Sequence, residues 1–244
     1  MDDDIKLICG DCITEMQKLS DEIVDLTVTD PPYNISNYGN SLTKKGSKIV
    51  TADFGEWDKW DSQEEYFDWC IRMVKELDRV TKPKGSAYIF WDNHYQGHIT
   101  YLIEKNTGFQ QKCPIILRKV NPIPHVRKTN FRSSFEMLTL YVKDEDKKPK
   151  TFNFLSQKEM CNVMDYAIGK KATTHPTEKP LPMISRFVRI SSNKNDLVLD
   201  PFLGSGTTAC ACKELGRQFI GIEISPEYFK MAEQRILNTQ ENMF

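Results

Sequence analysis

Residues 197–208 read LVLDPFLGSGTT, and this stretch decides the fold class of the chain. Its apolar beginning predicts a buried strand that ends in Asp200. Two glycines in the turn that follows let the backbone approach a ligand closely, and the threonines after them can cap and begin a helix. Gly216 is placed to end that helix, and residues 219–223, FIGIE, predict another strand. This alternation indicates an α/β fold, in which ligands bind at the carboxyl ends of strands.

The second of these strands ends in Glu223, 17 residues after Gly206. An acid about 20 residues beyond such a glycine turn typically binds the hydroxyl groups of a ribose. No lysine of the Walker type follows the glycines, which disfavours a loop for nucleoside triphosphates. A dinucleotide could use the same turn, so a nicotinamide-dependent oxidoreductase stays an alternative at this point.

A further apolar strand is predicted over residues 23–29, and Asp30-Pro31-Pro32-Tyr33 follow its carboxyl end. The prolines fix the backbone and remove two N–H donors, so the carbonyl groups there are rigid and can accept hydrogen bonds. A carboxylate beside such carbonyls can hold both hydrogens of an NH2 group, and the tyrosine ring can stack on the ring that carries the amine. This equipment suits chemistry on a nucleobase amine, although Asp-Pro and Pro-Pro also form ordinary surface turns.

These segments resemble those of the β group of S-adenosylmethionine-dependent amino-methyltransferases of DNA, above all its short bacterial and phage adenine-N6 members. In that group the DPPY segment precedes the FxGxG segment, as a circular permutation, and here residues 30–33 precede residues 202–206. RNA guanine methyltransferases with a similar tetrad usually have the opposite order. The resemblance implies one Rossmann-like methyltransferase domain over residues 1–244, with a mostly parallel, twisted sheet flanked by helices. It extends to residues 10–12 (GDC), 54–58 (FGEWD) and 175–180 (HPTEKP).

The resemblance also implies the roles of individual residues. Asp30 and the carbonyl of Pro31 would accept the amine hydrogens, and Tyr33 would stack on a base that has flipped out of DNA. Methyl transfer would then be a direct in-line displacement. The implied catalytic set is Asp30, Pro31, Pro32 and Tyr33. The implied cofactor contacts are Asp11, Cys12, Asp30, His175, Lys179, Asp200, Phe202, Gly204, Ser205, Gly206, Thr207, Thr208 and Glu223.

Within the cofactor set, each end of S-adenosylmethionine has its own expected partners. Asp11 and the backbone at Cys12 would meet the adenine, and Glu223 would take the ribose hydroxyls. His175 and Lys179 would lie near the methionine end. The residues of the glycine turn would face the methionine and ribose parts of the cofactor; they are Phe202, Gly204, Ser205, Gly206 and Thr207. Asp200 would either contact the cofactor or only hold the glycine turn.

The expected target is the N6 amine of adenine in DNA, and other readings stay open. Cytosine-N4 methylation uses the same chemistry, but the cytosine enzymes of this group more often carry serine in place of Asp30. Motif order disfavours an RNA substrate, and an oxidoreductase would leave residues 30–33 unexplained. The intact motifs argue against a catalytically inactive DNA-binding subunit. A homodimer and a cognate restriction enzyme are the other candidate partners.

The net charge of the chain is −1, but the charges are unevenly distributed. Residues 112–150 hold ten Lys or Arg and four acids, which gives +6, while residues 1–30 hold nine acids and two lysines, which gives −7. Such a split can place a basic face toward DNA. The expected DNA contacts are Lys44 and Lys45, in a mobile loop over residues 34–60, and Arg127, Lys128, Asn130 and Arg132, in a target-recognition insert over about residues 119–174.

The remaining sequence features concern location and metals. No apolar run suits a bilayer and no signal-peptide pattern is present, so we expect a cytoplasmic protein that joins the nucleoid when bound to DNA. Seven scattered cysteines suit reduced thiols. Neither Cys9-x-x-Cys12 nor the pair His94 and His98 has further metal-ligand pairs nearby in the sequence, so we expect no metal.

Overall fold

Sixteen helices and strands are found in the part of the chain that the computed structural model describes, namely residues 4–34, 42–45, 48–51, 59–122, 124, 128, 131–168, 173 and 178–240. The strands are β1 (Ile5–Cys9), β2 (Val24–Thr29), β3 (Leu42–Lys45), β4 (Lys48–Thr51), β5 (Thr81–Trp91), β6 (Phe109–Lys119), β7 (Phe135–Lys143), β8 (Val163–Tyr166), β9 (Leu197–Asp200) and β10 (Gln218–Glu223). The helices are α1 (Cys12–Met16), α2 (Gln63–Val80), α3 (Gln96–Asn106), α4 (Leu181–Ser191), α5 (Thr207–Leu215) and α6 (Pro226–Leu237).

Eight of the strands form one sheet in the order β1-β10-β9-β2-β5-β7-β6-β8. The five strands from β1 to β5 in this order are parallel, and β7 then runs antiparallel to both β5 and β6. The last strand, β8, is parallel to β6. The predicted α/β fold with a mostly parallel sheet is therefore confirmed, and the carboxyl ends of all its strands except β7 lie at one edge of this sheet.

The central strand β2 is buried at every position because strands flank it and apolar clusters cover both faces of the sheet. It nevertheless contains Asp25, whose carboxylate lies 2.6 Å from Nζ of Lys82 and 3.4 Å from Nζ of Lys150 and accepts a 3.1 Å hydrogen bond from the backbone N of Leu197. A buried carboxylate is tolerated only when it is paired in this way. These contacts join the amino ends of β2, β5 and β9. The predicted residues Asp30 and Asp200 lie at the opposite, carboxyl ends of β2 and β9.

Local sequence signals mark several of the helix ends. Ser62 caps α2 through Glu65, Ser225 caps α6 ahead of a proline, and Gly216 ends α5 in the left-handed conformation. The prediction that threonines cap α5 is wrong, because Gly206 with φ of 77° is the N-cap and the threonines lie inside the helix. No helix in the described ranges is long and apolar enough to cross a membrane.

The segment over residues 34–60, predicted as a loop, contains regular structure. Strands β3 and β4 pair antiparallel, with Leu42 opposite Thr51 and Lys45 opposite Lys48. Only two residues of the sequence, Gly46 and Ser47, separate the strands, and this spacing is typical of a hairpin. Most other residues of the segment lie outside the described part of the chain, so its predicted mobility remains a prediction.

Candidate active site

The two segments that sequence analysis singled out end adjacent strands and touch each other. Oγ1 of Thr29, the last residue of β2, donates a 2.8 Å hydrogen bond to Oδ1 of Asp200, the last residue of β9. The backbone N of Phe202 donates to the same oxygen over 3.1 Å. Burial raises the pKa of Asp200 to about 6, against the stabilising effect of these donors on its charged form. Asp200 therefore ties the glycine turn to the residue that precedes Asp30.

A cavity of about 210 Å³ opens at this edge of the sheet. Of the predicted catalytic and cofactor residues within the described ranges, Pro31, Tyr33 and Gly206 do not form its wall. The predicted residues that do line it are Asp11, Cys12, Asp30, Pro32, Lys179, Asp200, Phe202, Gly204, Ser205, Thr207, Thr208 and Glu223. His175 lies outside the described residues. The structure thus brings residues from both ends of the chain around one space.

The glycine turn and a buried acid form part of the cavity wall. Gly204 and Gly206 have positive φ angles of 51° and 77°, which residues with a Cβ rarely adopt. Oε2 of Glu223 accepts a 2.8 Å bond from the backbone N of Gly204, and Oε1 accepts a 2.9 Å bond from the N of Ser225. Burial raises the pKa of Glu223, although these donors favour its charged form. The acid is thus fixed against the turn, facing the cavity.

Two charged residues that sequence analysis did not assign support the same turn. Nη1 of Arg235, on α6, donates to the carbonyl of Ser205 over 3.1 Å and to Oγ1 of Thr207 over 2.9 Å. Its Nη2 lies 3.4 Å from Oε1 of Glu178, whose other oxygen accepts a 2.9 Å bond from the backbone N of Thr173. An arginine inside an amphipathic helix gives no local signal of this role, whereas Glu178 falls within the HPTEKP segment that the resemblance included.

Aromatic rings form part of the cavity wall and support the proline segment. The ring centroids of Trp60 and Trp69 lie 4.9 Å apart, and those of Trp69 and Phe202 lie 5.9 Å apart. Tyr66, on α2, is fully buried, and its hydroxyl donates a 3.0 Å hydrogen bond to the carbonyl of Pro32. Helix α2 therefore supplies both a wall of the cavity and a brace for the residues after Asp30.

Asp30, in the cavity wall after β2, belongs to a chain of alternating charges. Its Oδ2 lies 2.8 Å from Nζ of Lys179, and that ammonium lies 3.2 Å from Oε2 of Glu136, on β7. Oε1 of Glu136 lies 2.9 Å from Nζ of Lys119, the last residue of β6. Lys179 also lies over the ring of Phe90, with its Nζ 4.6 Å from the ring centroid. Glu136 had no predicted role, because an acid near the start of a strand has no distinctive sequence pattern.

The pKa values of these groups follow from burial and from their neighbours. Burial opposes the charge of Lys179, but Asp30 and Glu136 outweigh that effect and raise its pKa. Burial likewise opposes the charge of Glu136, but Lys179 and Lys119 lower its pKa to about 2. Lys179 and Glu136 therefore both stay charged at neutral pH.

Tyr33 lies beside Asp30 and donates its hydroxyl hydrogen to Oδ1 of that carboxylate. Burial and the charge of Asp30 raise the pKa of Tyr33 well above its usual value, so the hydroxyl stays protonated. Its ring packs partly against the apolar core. The predicted stacking of Tyr33 on a target base remains a prediction.

The predicted DNA contacts within the described ranges lie at the same edge of the sheet. Lys128 and Arg132 are exposed in the connection between β6 and β7, where the guanidinium of Arg132 donates to the carbonyl of Pro122. Lys44 and Lys45 form part of β3, but their side chains, like residues Arg127 and Asn130 as a whole, lie outside the described part of the chain.

The structure divides the basic stretch over residues 112–150 between two edges of the sheet. Lys112 lies near the start of β6, and its Nζ donates a 2.9 Å bond to the carbonyl of Lys147. Lys147 follows the end of β7 and lies 3.9 Å from Glu104, while Lys150 pairs with Asp25. Because β7 runs antiparallel to its neighbours, these lysines lie at the edge opposite the cavity. The local charge of +6 therefore overstates the basic character of the edge that carries Asp30.

The cysteines Cys9 and Cys12 and the histidines His94 and His98 lie in surroundings that do not resemble a metal site. Cys9 is exposed, whereas burial raises the pKa of Cys12 to about 12 and keeps it a thiol. A ring nitrogen of His94 lies 2.7 Å from Asp92, and the ring of His98 packs on Phe67 with centroids 4.7 Å apart. In the described ranges, no three His, Cys, Asp or Glu residues form a group that could hold a metal ion.

The strand order, the glycine turn with its buried acid, and the Asp-Pro-Pro-Tyr segment on the adjacent strand define a Rossmann-like methyltransferase. The model of the N6/N4 family described as DNA methylase matches residues 24–234, so the chain belongs to this family. It is therefore an enzyme that methylates DNA, as the motif order predicted.

Similar proteins agree with this assignment. The chain is 34% identical over 241 residues to the Type II methyltransferase M2.LlaDCHI of Lactococcus lactis subsp. cremoris and 33% identical over 241 residues to M2.DpnII of Streptococcus pneumoniae. Each match covers 94% of this chain and 88% of the relative. The crystal structure of the M1.HpyAVI–SAM complex is 30% identical, with a TM-score of 0.69 and coverage of 95% of this chain and 99% of that chain. The cytosine-N4-specific PvuII DNA methyltransferase, 18% identical, shares the fold with a TM-score of 0.73, over 99% of this chain and 98% of that chain.

Proposed function

We propose that this DNA methyltransferase transfers the methyl group of S-adenosylmethionine to the N6 amine of an adenine flipped out of DNA. The observation that carries the proposal is the cavity that is lined both by Glu223, at the end of β10, and by Asp30, directly after β2. The first is suited to ribose hydroxyls and the second to an amine. Both lie at the carboxyl edge of adjacent or nearly adjacent strands, where α/β folds bind their ligands.

The residues around the cavity fit S-adenosylmethionine. Glu223 offers a buried carboxylate to the ribose, and the aromatic wall around Trp69 and Phe202 offers apolar surface to the adenine. Asp11 caps α1 by accepting a 2.9 Å bond from the N of Thr14 through Oδ1, which leaves Oδ2 for the adenine amine. S-adenosylmethionine supplies an electrophilic methyl group. The SAM complex of the 30% identical M1.HpyAVI supports this assignment.

The chemistry of the amine explains the Asp-Pro-Pro-Tyr segment. An exocyclic base amine is a poor nucleophile because its lone pair is delocalised into the ring. Asp30 and the carbonyl of Pro31 accept the two amine hydrogens and so favour a tetrahedral nitrogen with its lone pair directed into the cavity. Rigid acceptors that are oriented before the reaction lower the barrier through alignment and electrostatics. Unstacking the base costs a few kcal/mol, and stacking on Tyr33 would return about 1–3 kcal/mol.

The resemblance to the β group of DNA amino-methyltransferases supports adenine over cytosine as the target base. The cytosine-N4 enzymes of that group more often carry serine in place of Asp30. The likeness to the PvuII enzyme, at 18% identity, concerns the fold alone and does not favour cytosine. Target recognition falls to residues 119–174, where Lys128 and Arg132 lie exposed at the cavity edge. A second copy of the chain and a cognate restriction enzyme, as in Type II systems, are the proposed protein partners.

Product analysis tests the proposal. The protein is incubated with labelled S-adenosylmethionine and unmethylated genomic DNA, and the nucleosides are then separated and identified by mass spectrometry. We expect the label in N6-methyladenosine. Label in N4-methylcytosine would keep the mechanism and correct the base, whereas unlabelled DNA with intact cofactor binding would overturn the proposal.

A further inference from the structure

Asp30 has both of its carboxylate oxygens engaged by protein donors in this structure. The ammonium of Lys179 lies 2.8 Å from Oδ2, and the hydroxyl of Tyr33 donates to Oδ1. The proposed reaction needs Asp30 as an acceptor for an incoming amine hydrogen. A lysine with Asp30 as its one anionic neighbour would resist leaving that carboxylate, because a buried ammonium without a partner is costly.

Glu136 offers Lys179 a second carboxylate on its other side. Its Oε2 lies 3.2 Å from Nζ of Lys179, within salt-bridge distance but 0.4 Å longer than the 2.8 Å contact with Asp30. The side chains of Lys179 and Glu136 are only 14% and 29% exposed, so solvent screens their attraction weakly. Lys179 also keeps the ring face of Phe90 as a further partner. A small shift of the ammonium toward Glu136 would therefore release Oδ2 without leaving a charge unpaired.

We propose that Glu136 is a positioning residue of the methyl-transfer reaction, which draws the ammonium of Lys179 away from Asp30 so that Oδ2 accepts a hydrogen of the target amine. The inference rests on the proposed function and extends it to a residue that does not line the cavity. Lys119 weakens the attraction between Glu136 and Lys179, because its ammonium lies 2.9 Å from the same carboxylate. Glu136 and Lys119 thus set how tightly Lys179 holds Asp30.

Steady-state kinetics of Glu136→Gln test the inference. The amide keeps the size of the side chain but loses the negative charge, so Lys179 stays on Asp30. We expect kcat to fall by about 10- to 100-fold, the range that small displacements in an active site cause. The KM values for DNA and for S-adenosylmethionine should change little, because Glu136 is not in the cavity wall. Glu136→Asp, which keeps the charge on a shorter side chain, should have an intermediate kcat.

Lys119→Met is the matched control. It removes the competing cation and leaves the carboxylate of Glu136 to Lys179, so its kcat should exceed that of Glu136→Gln by about tenfold or more. Thermal melting of every variant separates loss of folding from loss of chemistry. If Glu136→Gln does not fold, a Glu136→Asp enzyme with wild-type kcat would overturn the inference.

Two results distinguish failure of the inference from failure of the proposed function. A wild-type protein that methylates adenine alongside an equally active Glu136→Gln variant would refute the role of Glu136 alone. Equal losses of kcat in Glu136→Gln and Lys119→Met would refute that role as well. A wild-type protein that binds S-adenosylmethionine but methylates no DNA would instead refute the proposed function, on which the inference rests.

Discussion

At the scale of single residues, the site depends on where carboxylates lie and on what surrounds them. Asp30 directly follows β2 and Glu223 ends β10, and both line the cavity. Glu223 is held by two backbone N–H groups, whereas Asp30 is held by a lysine and a tyrosine. Fixed backbone donors suit a binding role, and side chains that can move suit a residue that must exchange its partners.

Replacement of Asp30 by asparagine separates catalysis from cofactor binding. The amide keeps the shape of the side chain but presents a donor where the amine needs an acceptor, so kcat should fall by on the order of 10²- to 10³-fold. Binding of S-adenosylmethionine, followed by the fluorescence of Trp60 and Trp69 in the cavity wall, should change little. Asp146→Asn, an exposed acid that pairs with Lys148, is the control and should behave as wild type. Retained methylation by Asp30→Asn would exclude the assigned role.

The buried carboxyl of Asp200 gives a prediction about pH. Its pKa is about 6 in the folded protein, against 3.8 for an ordinary aspartate, so the folded state binds a proton more tightly than the unfolded state does. The stabilising contribution of this protonation is fully present below pH 3.8 and is lost as the pH rises through about 6. Asp200→Asn has no such titration. Between pH 4 and pH 7, the melting temperature of the wild type should therefore decrease relative to that of Asp200→Asn. Melting temperatures that change equally with pH in the two proteins would contradict this prediction.

At the scale of elements, the glycine turn and helix α5 depend on one backbone conformation. Gly206 caps the helix with φ of 77°, and a Cβ there would lie 3.1 Å from Cβ of Ala232. Gly206→Ala should destabilise the fold by about 1–3 kcal/mol through backbone strain and crowding. At Gly97, in α3, an added Cβ would meet no heavy atom within 4 Å, so Gly97→Ala should stabilise by about 0.5–1 kcal/mol. Urea unfolding of both variants measures their free energies of unfolding, which should change in opposite directions. Changes of the same sign and size would refute the different roles of Gly206 and Gly97.

Strand and helix boundaries show where local sequence was insufficient. The apolar run over residues 86–91 predicts a strand, but β5 begins at Thr81, which pairs with Val24 of β2. Residues 82–85, which include a proline and a glycine, fall within the register shift that follows. Residues 115–118 likewise predict a strand, but β6 begins at Phe109 because it pairs with β7 from Lys143 onward. The partner on its other side, β8, pairs only with residues 116–119, so Pro114 lies at an edge, where proline is tolerated. The sequence over residues 12–19 predicts one helix, but α1 ends at Met16. Capping residues marked helix starts well, but tertiary pairing decided strand lengths.

At the scale of the whole molecule, the sequence could predict residues that belong to a compact motif but not residues that long-range folding brings together. Thr29 and Asp200 are 171 positions apart, and motif order with the rule on strand ends placed them at one site. Glu136 and Arg235 gave no such signal, because an acid in a strand and an arginine in an amphipathic helix usually face solvent. Glu136 reaches the site because the strand order places β7 next to β5. Arg235 reaches it because α6 packs against the glycine turn.

The strand directions also decide which basic residues can meet DNA. Lys128 and Arg132 lie at the cavity edge, whereas Lys147 and Lys148 lie at the opposite edge, although all four belong to one basic stretch of the sequence. Lys128→Ala and Arg132→Ala should each weaken DNA binding, and each lost phosphate contact should reduce the slope of log K against log salt by about 0.9. Lys147→Ala and Lys148→Ala remove the same charge from the chain and should leave both the affinity and the slope unchanged. Fluorescence anisotropy with a labelled duplex at several salt concentrations measures both quantities. Equal losses from the two pairs would mean that net charge, rather than the edge of the sheet, directs DNA to this enzyme.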